Sequence, residues 1–194
     1  MKPSTLARII SIVFSQYIWL PSLTVIFTLK SGLSDWQIVR LLPTLLFIQA
    51  LAPVGFLELG RQLGKISRWD ATKREERPTL LLVASALYLI SLLPIYFWSN
   101  KLLLDLVILM TGLIFVFGMI STKWKISLHT GINTFGVLII NFLFDWQLPI
   151  LFLIPPVVFW ARFILKKHTI AQLLAGIVVS AVLALLFLRQ FNYI

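Results

Sequence analysis

The chain has 194 residues, 59% of them hydrophobic and 12% charged, with a formal net charge of +10 and no cysteine. A mean hydropathy of +0.96 lies outside soluble-domain usage and predicts an all-α, polytopic integral membrane helix bundle. Disulfides and thiolate chemistry are excluded, two histidines are too few for a histidine-rich metal site, and basic residues confined to short stretches between apolar runs point to anionic membrane lipids rather than nucleic acid.

Lys2 and Arg8 flank the start of an apolar run over 6–29. The run is long enough to span a membrane and no small-residue cleavage site follows a short core, so a retained first helix is expected rather than a removed signal. Further runs cover 38–59, 79–98, 102–120, 128–144, 148–165 and 170–188, giving seven predicted helices. The fifth and sixth are the shortest and are parted only by Asp145, Trp146 and Gln147; a re-entrant pair is the alternative reading of these two, and the expectation is about six to seven transmembrane helices. No repeat or soluble domain interrupts the pattern, so 1–194 reads as a single transmembrane domain with one long polar loop over 60–78.

Trp36, Trp69, Trp98, Trp124, Trp146 and Trp160 fall near span ends, at head-group level, whereas Trp19 lies mid-span. With seven spans, the loops 60–78, 121–125 and 166–168 share a face with the N-terminus. Thirteen of the seventeen Lys and Arg residues lie on that face; only Lys30, Arg40, Lys101 and Arg189 lie on the other. The bias predicts a cytoplasmic N-terminal face, in a bacterial-type inner or cell membrane.

The residues able to do chemistry are on the same face. In the long loop, Pro78 suits the first turn of the third helix, leaving Arg77 at the membrane surface. If 70–77 is helical, Lys73 and Arg74 flank one anion together with Arg77, and Glu75 and Glu76 offer the plainer alternative of pairing with those cations. The next connection carries Lys125, Ser127 and His129 at alternate positions, which an extended or helix-starting backbone aims at one ligand. The last carries Arg162, Lys166, Lys167 and His168 ahead of an apolar run in which Gln172 falls at i+4 and orients the imidazole. Each stretch alone reads as an interfacial flank. Together they place both histidines of the protein beside cations on one face, a set suited to phosphoryl transfer: one imidazole attacks phosphorus, the other protonates the leaving alkoxide, and the cations neutralise the equatorial oxygens.

These stretches resemble the three motif blocks of the type-2 phosphatidic acid phosphatase family, the integral-membrane relatives of the vanadium haloperoxidases. Arg162, five residues, His168, three residues, Gln172 keeps the spacing of the third block; Ile126-Ser127-Leu128-His129 corresponds to the second; the first ends at Arg77-Pro78. The resemblance implies a lipid phosphate substrate, His168 as the nucleophile that becomes phosphohistidine, His129 as general acid, Arg77, Arg162 and Ser127 as phosphate binders, and no metal or other cofactor. Four positions depart from the pattern. Asp70 stands at the lysine of the first block, so its cation is expected from Lys65, Lys73 or Arg74, the last two favoured. Ile126 and Leu128 replace proline and glycine, with Lys125 as an added cation. Ala161 replaces serine, and Gln172 replaces the aspartate, leaving an amide oxygen that accepts from the ring but brings no charge, unless Glu58 near the same face supplies it. Those departures carry the alternative of a catalytically weakened or inactive member that binds anionic lipid or acts as a scaffold. Magnesium-dependent prenyl transfer and proton-coupled transport are disfavoured, because paired Asp-rich motifs and deep intramembrane charges are absent from the sequence.

Overall fold

The computed structural model describes residues 2–67, 73–98 and 100–193, all without a β-strand. In chain order the helices are α1 Pro3–Val13, α2 Gln16–Lys30, α3 Asp35–Leu46, α4 Ala52–Gln62, α5 Arg77–Ile90, α6 Leu92–Phe97, α7 Lys101–Lys123, α8 Leu128–Leu143, α9 Ile154–Ile164 and α10 Ile170–Gln190, with 3₁₀ turns at Arg74–Glu76 and Pro149–Leu153. Each of the seven apolar runs is helical. Among the described residues, four helical segments are long and apolar enough to cross a membrane: Asp35–Gln62, Arg74–Phe97, Lys101–Lys123 and Ile170–Gln190. The first run makes a fifth only if α1 and α2 count together as one broken span, and the apolar helices Leu128–Leu143 and Pro149–Ile164 are shorter than a span.

The helices gather into two compact units, Met1–Trp19 with Lys125–Ile194, and Leu20–Trp124. In the second unit α5 packs on α7 and α4 packs on α5. Pro53 has no N–H to return to the Gln49 carbonyl, and the ladder widens over Phe47–Leu51, where the Ala52 N–H reaches back five residues to the Phe47 carbonyl. The buried Gln49 side chain stitches this turn to its neighbours. Its Oε1 accepts from Thr24 Oγ1 at 2.7 Å, its Nε2 donates to Ser91 Oγ at 2.7 Å, and Ser91 Oγ donates to the Tyr88 carbonyl at 2.6 Å where α5 gives way to α6. Trp36 and Trp98 meet edge to face at 4.9 Å, with the Arg40 guanidinium 4.6 Å from the Trp36 ring, an aromatic and cationic pairing of the kind found at membrane interfaces.

In the first unit α8 is buried from Leu128 to Asn141 and packs on α10 and α9, while α1 packs on α9. The helix breaks after Phe14, and the carbonyl released there accepts from Asn133 Nδ2 at 2.9 Å. Trp19, the mid-span tryptophan, donates its Nε1–H to the Ile132 carbonyl at 3.1 Å, which explains an indole away from the head groups. α10 turns Leu173, Gly176, Ser180, Ala184 and Leu188 inward. At Gly176, α10 lies directly against the start of α8: a Cβ there would stand 2.5 Å from the Ser127 carbonyl oxygen and 2.5 Å from Thr130 Oγ1. A backbone oxygen cannot rotate away, so Gly176→Ala must part the two helices. The expected cost is about 1–3 kcal/mol, measured as a lower Tm of the detergent-purified protein. Gly112→Ala, where a Cβ meets nothing within 4 Å, is expected to be neutral or to stabilise by about 0.5–1 kcal/mol; equal Tm values for the two variants would contradict the contact.

Candidate functional site

The stretch from Arg162 to Gln172 is a closed helix end followed by a capped helix start. α9 stops at Leu165, and Lys166 adopts a left-handed φ of 51°. The Lys166 N–H donates to the Phe163 carbonyl at 2.9 Å and the Lys167 N–H to the Arg162 carbonyl at 3.1 Å, the paired bonds that close a helix when the next residue is left-handed. Glycine usually takes such a position, and a side chain there costs about 1–2 kcal/mol. A lysine holds it here. Thr169 then opens α10 with a reciprocal cap: its Oγ1 accepts from the Gln172 N–H at 3.4 Å, and its own N–H donates to Gln172 Oε1 at 3.2 Å.

His168, nearly buried, lies between these two devices, with Nδ1 3.2 Å from Gln172 Oε1. An amide oxygen only accepts. The same oxygen takes the Thr169 N–H, which holds the amide oxygen-first, so Nδ1 carries the ring proton and the lone pair of the neutral imidazole is on Nε2. An open groove of about 640 Å³ runs past this ring, lined among the described residues by Lys125, Phe163, Ile164, Lys166, Lys167, His168, Thr169 and Gln172. The lining thus combines three lysines and an imidazole with the apolar residues Phe163 and Ile164.

His129 and Arg162 are not among the residues lining that groove; they meet at the first helix. Arg162 Nη1 donates to Ser11 Oγ at 2.6 Å, and His129 Nε2 lies 3.2 Å from the Ser11 carbonyl oxygen. A carbonyl only accepts, so His129 carries its proton on Nε2, the reverse of His168. The starts of α8 and α10 are bonded to each other: the Ser127 N–H donates to the Gln172 carbonyl at 3.2 Å and Thr130 Oγ1 to the Leu173 carbonyl at 3.0 Å. Gln172 therefore holds the α8 segment by its backbone and His168 by its side chain. Ser127, expected to bind phosphate, is buried and uses its Oγ to cap α8, accepting from the Thr130 N–H at 3.4 Å.

The cations of the long loop belong to the second unit. Asp70, with Arg68 and Trp69, lies outside the described residues. Lys73 is extended rather than helical and precedes a 3₁₀ turn over Arg74–Glu76 that leads straight into α5, with Pro78 in its first turn as expected. Arg74 donates from Nη1 to the Lys123 carbonyl at the end of α7 at 2.8 Å and lies 3.5 Å from Glu75; Glu76 Oε1 accepts from the Ser67 N–H at 3.0 Å. Arg77 is buried, 4% exposed. Glu58 forms two 2.8 Å bonds to Arg61, which occupies the carboxylate suggested as a substitute charge. Among the described residues no three His, Cys, Asp or Glu side chains gather as a metal site. Ser11 and Thr169 escape a reading by motif: nothing distinguishes Ser11 from any serine in an apolar run, although Thr169 three residues before Gln172 is the signature of a helix cap.

Comparison with protein-family models, with curated proteins and with solved structures finds no match for this chain. The hydrogen-bond geometry predicts that the two histidines are opposite tautomers. Spectra of ¹⁵N-histidine-labelled protein, taken where both rings are neutral, should show one Nδ1–H ring and one Nε2–H ring, and Gln172→Leu should convert the first to the Nε2–H form. Two rings alike in the unaltered protein would contradict the Gln172 contact.

Proposed function

We propose that the chain is a membrane-embedded lipid phosphatase or phosphotransferase, similar in its chemistry to the type-2 phosphatidic acid phosphatases. The observation that carries this reading is His168: a ring held by Gln172 at a groove whose lining combines lysines with apolar side chains. The phosphate of an amphipathic substrate sits among Lys125, Lys166 and Lys167, and its chain lies along Phe163 and Ile164. Nε2 of His168 attacks phosphorus as the ester P–O bond breaks; the alkoxide takes a proton from the imidazolium form of His129; water then cleaves the P–N bond, giving its proton back to His129, and phosphate is released. Arg162 belongs to the same proposal as a phosphate binder. So do seven membrane crossings, a cytoplasmic site face supported by the thirteen-to-four cation bias, and a bacterial-type cell membrane.

Replacing the orienting carboxylate by an amide lowers the serine-protease rate about 10⁴-fold, chiefly through the wrong tautomer. Here the Thr169 N–H selects the correct tautomer, so the penalty reduces to the missing negative charge. A second reading, an anionic-lipid binder without catalysis, is favoured by that missing charge and by the absence of His129 and Arg162 from the groove lining.

Phosphate release from a panel of lipid phosphates, with chelator present, tests the first reading. Activity should survive chelation and fall at least 10³-fold in His168→Ala, while Gln172→Asp should raise it. Lipid-phosphate binding without turnover in either the unaltered protein or Gln172→Asp supports the binder instead. The left-handed lysine supplies a second check: Lys166→Gly should raise stability by about 0.5–1 kcal/mol in thermal unfolding while weakening lipid-phosphate binding severalfold. A Lys166→Gly protein that binds as well as the unaltered one removes Lys166 from the site.

A further inference from the structure

Ser11 lies outside every motif, yet two groups of the proposed site, carried by two different helices, converge on it. Its hydroxyl oxygen accepts from Arg162 Nη1 of α9 at 2.6 Å, and its carbonyl oxygen accepts from His129 Nε2 of α8 at 3.2 Å. The residue is buried, 7% exposed, as are Arg162 at 5% and His129 at 7%. Away from water, hydrogen-bond partners decide where a guanidinium plane and an imidazole edge point. The neighbouring break supports the geometry: after Phe14 the chain turns away, and Asn133 Nδ2 ties the Phe14 carbonyl to the His129 carbonyl at 2.9 and 2.7 Å. Thus α1 is held on α8 one turn from the histidine.

We propose that Ser11 is a positioning residue of the site: through its hydroxyl it fixes the guanidinium of Arg162, and through its carbonyl it accepts the Nε2–H of His129, so that when this ring is an imidazolium its second proton, on Nδ1, is the one given to the leaving alkoxide. The first helix is then part of the catalytic apparatus although it contributes no group that reacts. This inference rests on the phosphoryl-transfer reading. It assigns the two atoms of Ser11 separable roles, because a side-chain substitution removes the hydroxyl and leaves the carbonyl in place.

The experiment uses the full-length detergent-purified protein, with inorganic orthovanadate binding and lipid-phosphate hydrolysis as paired readouts. Ser11→Ala should weaken vanadate binding and lower kcat/KM by about 10- to 100-fold, the range for a hydrogen bond to a charged group. Ser11→Thr, which restores a hydroxyl, should recover most of both. Ser11→Ala combined with Arg162→Lys should be no worse than Arg162→Lys alone, and the Nε2–H signal of His129 should persist in Ser11→Ala. Should Ser11→Ala fail to fold, Ser11→Cys carries the same comparison, since a thiol keeps the size and is a weak acceptor. Additive losses in the double variant, or a Thr variant as impaired as the Ala variant, overturn the positioning role while leaving the phosphatase reading intact. Unaltered protein that neither binds vanadate nor releases phosphate overturns both.

Discussion

In a chain this apolar, every backbone or side-chain polar group released by a break in a helix must find its partner within the protein, and the structure follows from how few partners there are. Asn133 answers the carbonyl freed after Phe14. Gln49 joins Thr24 and Ser91 at the turn widened ahead of Pro53. Asn141 accepts the Leu148 N–H across the tight turn in which Asp145 and Trp146 are left-handed. In water each of these would compete with solvent and contribute about 1 kcal/mol; in apolar surroundings an unmet group costs more than that, so the breaks stay where their partners are.

The same constraint shapes the candidate site. Arg162, His168 and Gln172 keep their spacing because one helix must be closed and the next capped within a few residues. The capping oxygen that satisfies the Thr169 N–H is the oxygen that holds the imidazole. Structural necessity and ring orientation are met by one atom. The close approach at Gly176 then allows the start of α8 to bond to the backbone of Gln172 and Leu173, so the segment carrying Lys125 and His129 is tied to the segment carrying His168.

Two elements stand apart from that economy. Lys166 occupies a left-handed position that glycine would hold with less strain, and it lines the groove beside His168. Arg162 and His129 are buried on the Ser11 side, so their orientation depends on a helix far from them in sequence.

Hydropathy, proline placement and cap signatures were sufficient to read all seven helical runs, the Pro78 start of α5 and the contact of His168 with Gln172, because each depends on residues within a few positions or on bulk transfer from water. Local sequence carried no sign of the division into two units, of the break at Phe14, or of Ser11 as the meeting point of Arg162 and His129. Those depend on which distant carbonyl or side chain is present to satisfy a released polar group. Such a choice exists only once the helices are packed.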